Sequence, residues 1–187
     1  PSDRVSTVWL LVACSAYRSA ACFKGWSSAS GVEFGGDFLE LTSGINRMVR
    51  VLELGEKMED FTALIDSSFA TLGDERQYVS IATYVIGMVI RGATGRPISE
   101  LLTEKILAPL GMEQDGYYVT DGVGVAFVLG GLNFTTRDYA RFGQMIANDG
   151  AFNGSQIVPA DWNAASTTPS PPTQAGRQQE GVEWGMA

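Results

Sequence analysis

Hydrophobic and polar positions fall into a regular order only after Gly36. Residues 1 to about 35 mix Ser, Ala and Gly with scattered aromatics and show neither a helical nor a strand period. Leu39 to Leu41 is a short apolar step that Thr42-Ser43-Gly44 interrupts. Met58, Phe61, Leu64 and Ile65 recur at helical spacing and predict a short amphipathic helix within 55–68. A turn follows at Gly73-Asp74.

Ser80 to Ala93 predicts a core helix. Ile81, Tyr84, Val85 and Met88 form one face, and Ala82, Ile86, Val89 and Ala93 make the other side apolar as well. Ser80 is placed to cap its start and Gly95 to stop it. Pro97 is placed to open the next helix, with Ile98, Leu101, Leu102 and Ile106 as its stripe and Pro109 as its end. Asp121 to Leu132 alternates imperfectly around Gly130-Gly131, which reads as a short strand or an irregular loop. Thr135 to Asp138 predicts a capped helix start, with Tyr139, Phe142 and Ile146 on one face and Gly150 beyond its end. Pro159 to Trp162 predicts one further helical turn, residues 166–180 a loop, and Val182 to Trp184 the beginning of a strand.

Composition narrows the function classes. Of 187 residues, 45% are hydrophobic and 18% charged, a balance that supports a packed core. The net charge of −8 argues against nucleic acid as a partner, since duplex binding needs a basic stripe. There is no histidine, so Ser-His-Asp and Cys-His relays are excluded within these residues, as are the commonest zinc ligands. Acid–base work would fall to Tyr, Lys, Asp or Glu. Two cysteines, Cys14 and Cys22, do not make a disulfide framework. The apolar run Val8 to Cys14 is too short to span a bilayer. Leu11-Val12-Ala13-Cys14 resembles the end of a bacterial lipoprotein signal, and a buried strand is the other reading; the compartment stays open between cytoplasmic and exported.

Motifs carry the reading further. Leu41-Thr42-Ser43-Gly44-Ile45, Tyr78-Val79-Ser80, Gly92 to Gly95 with Ile106 to Met112, Gly130 to Leu132 with Thr136 to Gly143, and Ile157 to Trp162 follow one another in order. Together they resemble the class C β-lactamase-related serine hydrolases, and Tyr78 to Trp162 reads like the branch of 6-aminohexanoate-dimer hydrolases and related esterases. The resemblance implies an α/β (α+β) domain of the β-lactamase/transpeptidase-like fold over residues 36–187, this chain holding mainly its helical part, with residues 1–35 unassigned. It implies a small-molecule amide or ester substrate, acyl transfer to a Ser-x-x-Lys serine, and no cofactor or metal. It does not distinguish β-lactam, ester and 6-aminohexanoate oligomer, and it leaves the oligomeric state open.

By the same resemblance Tyr78 is the proton-transfer residue and Ser80 the third position of the Tyr-x-Ser motif, facing the lysine or the substrate. The chemistry is demanding. A phenol titrates near ~10, and a base working near neutrality needs that lowered by ~3 units, ~4 kcal/mol of differential stabilisation. A lysine ammonium and a helix N-terminus both act in that direction, but the helix end supplies only ~1 kcal/mol. Without the resemblance, Tyr78 reads as an ordinary core or surface tyrosine, and Ser80 reads as a cap.

The sequence departs from the pattern. No Ser-x-x-Lys occurs; Ala21-Cys22-Phe23-Lys24 has Ala at the nucleophile position, and Ser15-Ala16-Tyr17-Arg18 has Arg at the lysine position. A Lys- or His-x-Gly strand is also absent. A fragment of a longer product, a shifted reading frame over the first 35 residues, or a degenerate non-catalytic relative would each produce this pattern, the first two being preferred.

Overall fold

The computed structural model describes residues 30–68 and 79–168. The lipoprotein-like Leu11 to Cys14 stretch, the Gly73-Asp74 turn, Tyr78 and the stretch around Val182 to Trp184 lie outside them. The first helix, α1 (Gly44–Glu53), starts where the sequence pattern suggested only an interruption. Ser43 is its N-cap, with Oγ accepting the Asn46 N–H at 3.4 Å, and Gly44 is required because a Cβ there would come within 2.8 Å of the Phe34 ring. The helix buries Ile45, Met48 and Val51. The Asn46 side-chain amide donates to the carbonyls of Phe38 (3.0 Å) and Glu40 (2.8 Å), clamping the preceding loop with Leu39 93% exposed and Leu41 80% exposed.

The helix expected within 55–68 is confined to α2 (Met58–Thr62). Met58, Phe61 and Thr62 are buried, but Leu64 is exposed. The chain turns at Ala63 because residues 67–68 are drawn back to the segment ahead of α1, where Glu33 N–H donates to the Ser67 carbonyl at 3.0 Å and Val32 bridges Ser68.

The core helix, α3 (Ser80–Thr94), buries Ile81, Ala82, Tyr84, Val85 and Gly87. Its N-cap is Val79, not Ser80 as the capping preference suggested. Burial of the Val79 side chain holds that residue extended, and Ser80 becomes the first helical residue. The far end follows expectation, with Gly95 left-handed at φ 66° and its N–H bonded to the Arg91 carbonyl at 2.8 Å. Apolar character all round did not mean burial all round, since Ala93 is exposed.

Pro97 caps α4 (Ile98–Leu102), which widens into a π-helical turn over Thr103–Leu107 and resumes as α5 (Ala108–Leu110). Pro109 therefore does not end this run, and Gly111, left-handed at φ 62°, does. A proline inside a regular helix removes one N–H bond and clashes with the carbonyl four residues back, and a wider turn just ahead of it relieves both demands.

Asp121 to Leu132 is mainly a folded-back loop, with Thr120 bridging Ala126. It connects β1 (Tyr117–Tyr118) to β2 (Leu132–Asn133), an antiparallel pair with Tyr117 opposite Asn133. A Cβ on Gly131 would lie 2.7 Å from the Phe127 carbonyl oxygen, so only glycine fits this crossing. Next comes α6 (Thr136–Ala147), capped by Thr135 as expected, whose Oγ1 accepts the Asp138 N–H at 3.2 Å. The face expected from Tyr139 and Phe142 is exposed instead; α6 buries Asp138 and Met145, while Ile146 packs partly buried beside them. A charged residue on the inner face displaced the predicted stripe. The hairpin β3 (Ala151–Phe152) and β4 (Ser155–Gln156) leads to α7 (Ala160–Thr167), two turns rather than one.

Two apolar clusters result. The larger joins Phe34, Met48, Met58, Phe61, Ile81, Tyr84 and Phe127 across α1, α2 and α3. The smaller joins Leu110, Met145 and Phe152. Among the described residues no helix is long and apolar enough to cross a membrane.

Candidate functional site

Ser80 stands in the first turn of α3, half-buried, behind an N-cap that offers no side-chain acceptor to the first amides. Its hydroxyl makes no hydrogen bond among the described residues. The start of α3 thus presents a polar hydroxyl beside backbone N–H groups and the positive end of a helix of 15 residues. The tyrosine that the motif pairs with it, Tyr78, lies outside the described residues. Buried Val79 fixes the register in which the motif enters the helix.

One turn further along, Tyr84 is buried to 1% exposure, its ring tilted against Phe127 at 6.4 Å. Its hydroxyl is sealed and has no hydrogen-bond partner among the described residues. Burial, helped by the negative charge of Asp121, pushes its pKa up to about 12, so it remains a phenol at any physiological pH.

Asp121 itself is a buried anchor. One carboxylate oxygen accepts the N–H of Met58 at 3.1 Å and the other accepts those of Val123 (3.1 Å) and Val125 (2.9 Å). This ties the 121–125 loop to the start of α2. The loop forms one wall of a cavity of about 370 Å³, whose other walls are Tyr84, Gly87 and Met88 of α3 and the stretch Pro97 to Ser99. Gly87 lets Val128 pack against α3, since a Cβ there would meet Val128 Cγ2 at 2.5 Å.

A second buried carboxylate, Asp138, accepts the Glu113 N–H at 2.8 Å and the Thr135 hydroxyl at 2.8 Å. These bonds, the Glu113 amide first, hold its carboxyl below the usual carboxylate range. Arg141 bonds Glu113 at 2.5 Å and donates to the Leu110 carbonyl, closing the end of α5. This centre is architectural. Among the described residues no group of three His, Cys, Asp or Glu could hold a metal ion.

Sequence reasoning singled out Ser80 but not Tyr84 or Asp121. Tyr84 sat unmarked in an apolar stripe, and Asp121-Gly122 offered only the turn signal of an Asp-Gly pair.

Helices flanking small antiparallel pairs give this chain part of a β-lactamase-like fold. Residues 37–187 match the family model described as Beta-lactamase, and the chain belongs to that family. A 6-aminohexanoate-dimer hydrolase from Paenarthrobacter ureafaciens is 33% identical over 88 residues, 47% of this chain and 22% of that protein. A solved structure from Bacillus anthracis, provisionally named a 6-aminohexanoate-dimer hydrolase, superposes with a TM-score of 0.68 at 25% identity, covering 86% of this chain and 45% of that one. A provisionally named β-lactamase from Bacteroides dorei gives a TM-score of 0.58 at 23% identity over 89% of this chain and 48% of that one. The octameric penicillin-binding protein homologue from Pyrococcus abyssi gives 0.53 at 19% over 80% and 39%. The chain therefore spans less than half the length of these relatives.

Proposed function

We propose that these residues form part of a serine hydrolase that cleaves amide or ester bonds by acyl transfer, with Tyr78 moving the proton and Ser80 positioning lysine or substrate beside it. The observation that carries this reading is Ser80, an unpartnered hydroxyl in the first turn of a helix with no side-chain cap. The family match and the hydrolase names of relatives at 33% and 25% identity support it. In the reaction, the serine of a Ser-x-x-Lys motif adds to the carbonyl and its proton passes to the Tyr78 oxygen. The same proton then goes to the leaving amine or alcohol, and water reverses the sequence to free the acid.

The 187 residues contain no Ser-x-x-Lys, so this chain has no such nucleophile of its own. Assayed alone with nitrocefin and p-nitrophenyl acetate, it is expected to give no turnover above buffer. In the longest gene product containing these residues, p-nitrophenyl acetate should give a nitrophenol burst or nitrocefin a ring-opening colour change, and Tyr78→Phe should lower kcat by 10²-fold or more, roughly the worth of general acid–base catalysis. Activity in the long product that survives Tyr78→Phe would sink the assignment of Tyr78. A long product that neither turns over nor becomes acylated would favour a non-catalytic binding domain of the same fold.

A further inference from the structure

We propose that Asn153, at the tip of the β3–β4 hairpin, is a self-modification site. Its side-chain amide is lost to attack by the Gly154 backbone nitrogen, leaving aspartate or isoaspartate, whether or not the chain transfers acyl groups.

Asn153 and Gly154 are both exposed and both left-handed, at φ 48° and 78°, the conformations that close a two-residue hairpin. The strands they join hold two residues each. Among the described residues no hydrogen bond ties the Asn153 side chain or the Gly154 N–H. A Cβ built on Gly154 would meet nothing within 4 Å, so the peptide between the two residues has room to rotate and bring its nitrogen to the side-chain carbon.

The other described asparagines are guarded. Asn46, Asn133 and Asn163 donate their side-chain amides to main-chain carbonyls, and Asn148 is followed by Asp149, whose Cβ crowds the attacking nitrogen. Asp-Gly pairs are poorer sites, because a carboxylate is negative above its pKa of ~4 and resists nucleophiles. Two of them are also tied: the Gly122 N–H donates to the Glu56 carbonyl at 3.1 Å, and the Gly150 N–H to the Met145 carbonyl at 2.9 Å.

Base removes the Gly154 N–H proton, and the nitrogen adds to Asn153 Cγ. The Cγ–Nδ2 bond breaks, and the departing nitrogen takes a proton from solvent and leaves as ammonia. A cyclic imide remains. Water opens it: cleavage of the Cγ–N bond gives aspartate, and cleavage of the bond from that nitrogen to the Asn153 main-chain carbonyl carbon gives isoaspartate, in which the chain runs through Cβ.

The full chain, incubated in warm alkaline buffer and digested, tests this by peptide mass mapping, with isoaspartate scored by isoaspartyl methyltransferase. Residues 152–156 as a free peptide give the reference rate. Conversion at Asn153 is expected within roughly tenfold of that rate, since opening a hairpin tip costs little. It should rise about tenfold per pH unit, as the deprotonated fraction of a group far below its pKa does. Asn153→Gly keeps a residue pair that such turns accept and should remove the methyltransferase signal. The proposal is overturned by an intact Asn153 in the native chain when the free peptide has converted, by a rate indifferent to pH, or by an undiminished methyltransferase signal in Asn153→Gly.

Discussion

Gly122 and Gly55 meet backbone to backbone: a Cβ on Gly122 would overlap the Gly55 carbonyl, and the Gly122 N–H donates to the neighbouring Glu56 carbonyl at 3.1 Å. Gly55 is itself left-handed at φ 67°, a backbone conformation that glycine adopts freely. Gly122→Ala is expected to cost about 3 kcal/mol, because both obstructing groups are backbone and neither rotates away. Thermal unfolding of the two proteins measures it. A shift in melting temperature within experimental error would show that the loop does not dock there.

Acid should unfold the chain partly through Asp138. Its carboxyl is held below the usual range by the Glu113 amide, so its contribution is present above the ordinary carboxylate pKa of ~4 and is lost as pH falls through the lower folded value. Melting temperature followed from pH 7 to pH 2 should fall more steeply for the native chain than for Asp138→Asn. Parallel curves would contradict the assignment.

Alkali acts on Tyr84 in the opposite direction. Its folded pKa is raised to about 12, so the stability it contributes is present below the unfolded value of ~10 and declines as pH rises through 12. The loss should approach roughly 3 kcal/mol. Ultraviolet titration should show fewer tyrosines ionised at pH 11 in the native chain than in urea, and Tyr84→Phe should narrow that difference, the remainder belonging to Tyr118, whose pKa burial also raises.

The cap at Thr135 offers a local test. Its Oγ1 accepts the Asp138 N–H and its hydroxyl bonds the Asp138 carboxylate, so Thr135→Ala should cost about 1 kcal/mol and Thr135→Ser much less. Chemical denaturation of the three proteins gives the order directly.

Gly87 and Val128 should be coupled. Gly87→Ala pushes a methyl into Val128 Cγ2 and is expected to cost about 1–2 kcal/mol. Because the obstruction is a side chain, Val128→Ala in the same protein should recover part of the loss. A double mutant whose cost equals the sum of the singles would mean that the two do not touch.

The legible parts of the sequence were those where one residue type answers one local demand. Gly95 ends α3 and Thr135 caps α6 as the pattern required. Several motif residues that carried the family resemblance serve the fold: Ser43 caps α1, Gly44 makes room for Phe34, Gly111 ends α5, and Asp138 with Arg141 ties α6 to the 110–113 turn. That explains why the class of fold could be read from short pieces of text.

What escaped depends on distant partners. Ser43-Gly44 served equally as a stop or a start, and only packing against Phe34 decides. Val79 took the capping position because the core claimed its side chain. Tyr139 and Phe142 faced water because Asp138, among bonds contributed from Glu113, occupied the inner side. Asp121 gained its role from an amide 63 residues away, and no local pattern encodes that.

The Asn46 clamp has a practical outcome. By pinning the carbonyls of Phe38 and Glu40, it holds a greasy fingertip out into water with little freedom to fold under. Purified on its own, the chain should stick to itself as its concentration rises, and charged replacements at Leu39 and Leu41 should keep it dispersed without touching the cores.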